Sequence, residues 1–138
     1  MCIKIFVICS KAFYPQIAPI KKKLEQKDYT VFLPNAYDNP TAEQQAWNQG
    51  DAAHANFKKQ MFKQSKKVVS QMDAVLCLNF EKNGQPNYIG GATFLELYDA
   101  FMDNKKIFLW NDIPKGILYD EIHGFNPTII HGNLDLVK

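Results

Sequence analysis

Apolar residues recur along this chain in two rhythms, one continuous and one at helical spacing, and their alternation outlines a fold. "IKIFVIC" (3–9) is a β-branched and aromatic run, with the length and character of a strand covered on both faces. In "PQIAPIKKKLEQKD" (15–28), Ile17, Ile20 and Leu24 fall at helical spacing and the prolines stay in the opening turns, which predicts a helix. "YTVFLP" (29–34) predicts a second strand, stopped by Pro34. Residues 35–55 keep no steady period and read as partly helical or as a polar cover. From 56 to 72, Phe57, Met61, Val68 and Met72 share one helical face, while Lys58, Lys59, Lys63, Lys66 and Lys67 occupy the rest as a solvated surface. "DAVLCLNF" (73–80) predicts the third strand, "GGATFLELYDAFMDN" (90–104) a helix and "KKIFLWN" (105–111) the fourth strand. The apolar pair in "PTIIHGN" (127–133) supplies a short fifth.

Strands that alternate with helices pair in parallel through helical crossovers, so the pattern predicts an α/β fold, a doubly wound three-layer sandwich with about five strands. With 138 residues, 46% of them hydrophobic, the chain suits a single domain, 1–138, with one sizeable core. A net charge of +2, dispersed lysines and the absence of arginine speak against a nucleic-acid polymer as partner. Cys2, Cys9 and Cys77 lie in or beside apolar runs and are odd in number, which predicts buried free thiols in a reducing, cytoplasmic setting. No CxxC and no clustered His/Cys spacing suggests a metal, and His54, His123 and His131 share no ligand-like interval; His54 is expected to have a surface role. The apolar opening stretch is short and carries Lys4, so it reads as a core strand and not as a membrane or signal segment.

In an open parallel sheet, ligands bind beyond the carboxyl ends of the strands. The segments expected there are "CSKAFY", "PNAYDN", "NFEKNGQPNYIGG" and "NDIP". Glu96 follows the third of them, a lone carboxylate among Phe94, Leu95, Leu97 and Tyr98 in the first or second turn of its helix. The helix N-terminus favours its ionised form, and a carboxylate so placed can act as a nucleophile or stabilise a developing cation; the plain alternative is an acid that only complements the helix dipole. Asn79 ends the third strand, where its amide can meet a sugar hydroxyl or hold the next loop. Asp73, at the opposite edge, reads as a boundary residue, whereas Asn111 and Asp112 lie on the binding edge.

Three stretches, "FVICSKAF", "DAVLCLNFEKNGQPNYIGGATFLELYDAF" and "KKIFLWNDIP", resemble the nucleoside 2-deoxyribosyltransferase-like superfamily, most strongly over residues 73–112. The resemblance implies a flavodoxin-like sheet and cleavage or transfer of the N-glycosidic bond of nucleosides or their 5′-monophosphates. It makes Glu96 the nucleophile at C1′, with the sugar passed from the glycosyl-enzyme to a second base or to water. It also implies that Tyr88 orients this carboxylate, the alternative being a half-buried packing tyrosine. Gly90 and Gly91 then let the backbone turn into the helix and approach the sugar, a plain turn being the alternative. Cys9, Ser10 and Lys11 match the loop that contacts sugar and phosphate, with Cys9 where the family has glycine. Asn79, Asn87, Asn111 and Asp112 complete the expected substrate contacts. Tyr98 stands where glycine is usual, and the acids that hold the base in the transferases have no counterpart. No cofactor is implied. Homo-oligomers are, with Trp47, Tyr98, Phe101 and Trp110 as candidate interface aromatics. A binding or sensing module without turnover is the alternative of a different class.

Overall fold

The computed structural model describes residues 3–138, so the expectation for Cys2 lies outside the described residues. Five strands, β1 (Lys4–Ile8), β2 (Thr30–Phe32), β3 (Ala74–Cys77), β4 (Lys106–Leu109) and β5 (Thr128–Ile129), form one sheet in the order β2-β1-β3-β4-β5. Every pairing is parallel, with Ile5 facing Val31 on one side and Ala74 on the other. This is the flavodoxin-like strand order.

Alternation along each strand divides the core into two layers. Ile5, Val7, Leu76 and Phe108 point to the face covered by α1 (Ile17–Gln26), whose Ile17, Ile20 and Leu24 meet them, and by the C-terminal Leu134 and Val137. Phe6, Ile8, Val75, Cys77 and Leu109 point to the other face, where α3 (Asp51–Ser70) brings Val69, α4 (Gly91–Met102) brings Leu97 and Ala100, and α5 (Tyr119–Gly124) brings Ile122. Strands buried from both sides account for the unbroken apolar runs. Cys9 and Cys77 are buried free thiols.

Several boundaries differ from the sequence expectation. A 3-10 turn, Lys11–Gln16, precedes α1 and holds Pro15. In the stretch without periodicity, α2 (Ala42–Asn48) forms and α3 begins at Asp51 instead of near 56. That turn is secured from outside itself: His54 stacks on Trp47 with ring centroids 3.5 Å apart, and His54 Nε2 meets Glu43 Oε2 at 2.8 Å. His54 is therefore half-buried in a helix-to-helix contact, not a surface residue. Trp110 is likewise half-buried, edge-on to Phe80, whereas Trp47, Tyr98 and Phe101 are exposed.

Candidate active site

The strand order reverses direction between β1 and β3, and a cavity of about 310 Å³ lies where their carboxyl-end segments converge. Cys9, Ser10 and Lys11 follow β1, Asn35 follows β2, and Lys82, Tyr88, Gly90 and Gly91 follow β3. Two helices close the sides: α3 presents Phe57, Lys58, Met61, Phe62 and Ser65, and α4 presents Thr93, Leu95, Glu96 and Asp99. One wall is thus largely apolar, while the floor and the β1–β3 end are polar, the combination typical of small-molecule sites.

Glu96 is half-buried on the cavity wall. It is the sixth residue of α4, in the second turn, beyond the reach of the dipole that the sequence argument relied on. Burial governs it instead and pushes its carboxyl up to about 7. A hydrogen bond from Ser65 Oγ to Oε2, 2.8 Å long, opposes that shift, as does Lys58, while Asp99 adds to it. Ser65 in turn accepts from Asn35 Nδ2 at 2.7 Å.

The sequence expectation gave the orienting role to Tyr88, but no hydrogen bond joins Tyr88 to Glu96 among the described residues. Tyr88 lines the cavity with Lys82 Nζ 4.7 Å from its ring centroid, and its hydroxyl lies where a Cβ on Gly90 would approach to 3.1 Å. Gly90 is needed for that close approach. At Gly91 a Cβ would meet nothing within 4 Å, so its missing side chain leaves space to the cavity and relieves no contact. Both glycines line the cavity.

Ser10 Oγ accepts from Lys82 Nζ at 3.3 Å and from the Ala12 N–H at 3.4 Å, which leaves its own hydrogen for a ligand. Lys11 and Lys82 have no carboxylate partner within ion-pair distance among the described residues. Burial drives the Cys9 thiol up to about 12, so it is a neutral wall residue and not a nucleophile. The Tyr14 hydroxyl, also on the wall, is driven up to about 12 by burial as well.

Four expected contacts fall outside the cavity lining. Asn79 is completely buried and both its amide hydrogens are engaged: Nδ2 donates to the carbonyls of Asn111 and Asp112 at 3.0 and 2.9 Å, and Oδ1 accepts from the Asn111 N–H at 2.8 Å. It holds the loop after β4 and presents no exposed surface to a ligand. Asn111 returns a bond from Nδ2 to the Asn79 carbonyl. The Asp112 side chain is exposed, 3.5 Å from His131. Asn87 has φ +57°, a turn conformation that asparagine tolerates, and serves the backbone. Asp73, as expected at the far edge, accepts from the Lys4 N–H.

Sequence reasoning missed Asn35, Glu43, Lys58, Ser65, Lys82 and Asp99 on the wall. Only Ser65 left a legible trace, as a hydroxyl four residues after Met61 and four before Val69, in the apolar stripe of its helix. Two of the missed residues, Glu43 from α2 and Asp99 from α4, are acids. The hydrogen bond with His54 and proximity to Lys58 hold Glu43 below the usual carboxylate range. Among the described residues no cluster of His, Cys, Asp or Glu is arranged to hold a metal, and no helix is long and apolar enough to cross a membrane. In comparison with known proteins, the chain matches no protein-family model and no curated protein.

Proposed function

We propose that the protein cleaves or transfers the N-glycosidic bond of nucleosides or their 5′-monophosphates, with Glu96 as the nucleophile. The observation that carries this reading is the position of Glu96: a carboxyl on the wall of a cavity at the β1/β3 switch point, tethered by one oxygen and open on the other side. Attack by the ionised carboxylate at C1′ forms a glycosyl ester as the C1′–N bond breaks. The bonding pair leaves with the base, which takes up a proton from solvent. Water or a second base then attacks C1′, the C1′–O bond breaks to regenerate the carboxylate, and the attacking group loses its proton to solvent. The apolar wall of Phe57, Met61, Phe62 and Leu95 suits the faces of a base, Glu43 and Asp99 offer acceptors for its edge, and Ser10, Lys11 and Lys82 suit a 5′-phosphate.

The resemblance to the nucleoside 2-deoxyribosyltransferase-like superfamily supports this reading, as does the flavodoxin-like sheet. Incubation with a panel of deoxynucleosides and their 5′-monophosphates, followed by chromatography of the free base, tests it. Base released by the wild type and lost in Glu96→Ala supports catalysis. Absence of release from every member of the panel overturns it. One observation favours a binding module without turnover: a carboxyl held near 7 is only partly ionised at neutral pH. Saturable binding without release would establish that alternative.

The exposed apolar side chains Tyr98, Phe101 and Met102 of α4 support self-association into a homo-oligomer. The buried free thiols Cys9 and Cys77 support a reducing, cytoplasmic setting.

A further inference from the structure

We infer that Ser65 and Asn35 are positioning residues for Glu96, a hydrogen-bonded chain that ties down carboxyl oxygen Oε2 and leaves Oε1 facing the cavity. The inference rests on the reading of Glu96 as the reacting group.

The direction of the chain follows from counting hydrogens. A serine hydroxyl has one, and an asparagine Nδ2 can only donate. Asn35 Nδ2, 2.7 Å from Ser65 Oγ, therefore fills an acceptor position of that oxygen. Its second neighbour, the Met61 carbonyl at 3.5 Å, is an acceptor only, which is consistent with the nitrogen and not the amide oxygen pointing this way. The Ser65 hydrogen is left for Glu96 Oε2 at 2.8 Å. Serines within helices often bond back to their own backbone, as Ser70 does to the Lys67 carbonyl; Ser65 turns its hydroxyl outward to another helix.

Its partner oxygen has a different environment. Among the described residues no donor reaches Glu96 Oε1, yet no buried side-chain oxygen there lacks a partner, so Oε1 is in reach of solvent. Ser65 itself is 7% exposed, so bulk water competes little for its hydroxyl. The three members come from three elements: the loop after β2, α3 and α4. The carboxyl plane is thereby fixed against both the sheet end and the opposite helix, the kind of support that keeps a reacting group in one orientation.

A donor of this kind binds the carboxylate more strongly than the acid. The other groups facing Glu96 are Lys58 from α3, which favours the anion, and Asp99 from its own helix, which opposes it. Cys9 after β1 and Tyr14 from the 3-10 turn remain neutral through the working range. Lys11, Lys82 and Glu43 also line the cavity. Among the described residues, Ser65 is the one hydrogen-bond donor that counters burial.

The test uses the whole protein labelled with ¹³C-carboxyl glutamate, with the Glu96 resonance identified by its loss in Glu96→Gln and titrated by NMR. In Ser65→Ala the midpoint is expected to rise by about one pH unit, and in Asn35→Ala to rise less. If the wild type releases base, Ser65→Ala is expected to be roughly tenfold slower at pH 6, with the gap narrowing toward pH 9 and KM within about twofold, because the loss follows the ionised fraction. Ser65→Thr, which keeps the hydroxyl, restores both readouts. An unmoved midpoint in Ser65→Ala, or in Asn35→Ala should the serine variant not fold, overturns the inference. Absence of base release by the wild type would sink the proposed function alone, since the titration reads the chain without turnover.

Discussion

Asn79, just past β3, and Asn111, just past β4, bind each other in both directions: Asn111 donates its backbone N–H to Asn79 Oδ1 at 2.8 Å and its Nδ2 to the Asn79 carbonyl at 3.2 Å, and Asn79 Nδ2 donates to the Asn111 carbonyl at 3.0 Å. Because Asn79 is completely buried, these bonds lie out of reach of water, and Asn79→Ala would leave the Asn111 N–H and two carbonyls without a partner. The expected cost is on the order of 3 kcal/mol, measured by urea unfolding. A loss under about 0.5 kcal/mol would show that the β4 loop does not depend on this residue.

The Glu96 carboxyl predicts an inverse dependence of stability on pH. Its folded pKa, about 7, lies above the unfolded value of 4.5, so the folded state holds the proton more tightly. This contribution is fully present below pH 4.5, declines as pH rises through 7 and is absent above it. Glu96→Gln keeps the neutral form at every pH. It is expected to match the wild type near pH 4.5 and to exceed it at pH 8 by up to about 3 kcal/mol. Equal unfolding midpoints of the two proteins at pH 8 would contradict the burial argument.

Gly90 has φ −84° and ψ 175°, which alanine adopts without strain, so Gly90→Ala tests packing alone. Its new methyl would lie 3.1 Å from the Tyr88 hydroxyl and is expected to cost about 1 kcal/mol. Tyr88→Phe removes that oxygen, and the pair of substitutions is expected to cost less than the sum of the two, as a double-mutant cycle would read. Simple additivity would mean that the two residues do not press on each other.

Lys82 lies between the Ser10 hydroxyl and the Tyr88 ring and has no carboxylate partner among the described residues. If the β1 end of the cavity takes a phosphate, a nucleoside 5′-monophosphate will raise the melting temperature more than its nucleoside, and high salt will shrink that difference. Lys82→Gln is expected to abolish most of it. An equal response to both ligands in the wild type would remove phosphate from the proposed substrate.

Much of this architecture was legible because burial on both faces leaves an unmistakable signature. Phe6 and Ile8 face one layer while Ile5 and Val7 face the other, so β1 after its exposed first residue, Lys4, reads as a continuous apolar run. The start of α3 was not legible. Asp51 to Asn56 carry no apolar period, and that turn is held by the stacking of His54 on Trp47, a contact between separate helices.

By itself, the sequence determined the strand and helix alternation, the parallel sheet and the arrival of Glu96, Ser10, Lys11, Gly90 and Gly91 at one end of it, since each of these follows from local period and from the direction of the chain. Tertiary structure alone decided what the side chains do once there. Asn79 proved to be spent on a loop, Asn87 on a turn, and Glu96 came under the influence of Ser65, 31 positions away on a different helix. A one-dimensional pattern records which face of an element is buried. Which donor meets which acceptor depends on how two helices rotate and dock, and only the packed core sets that.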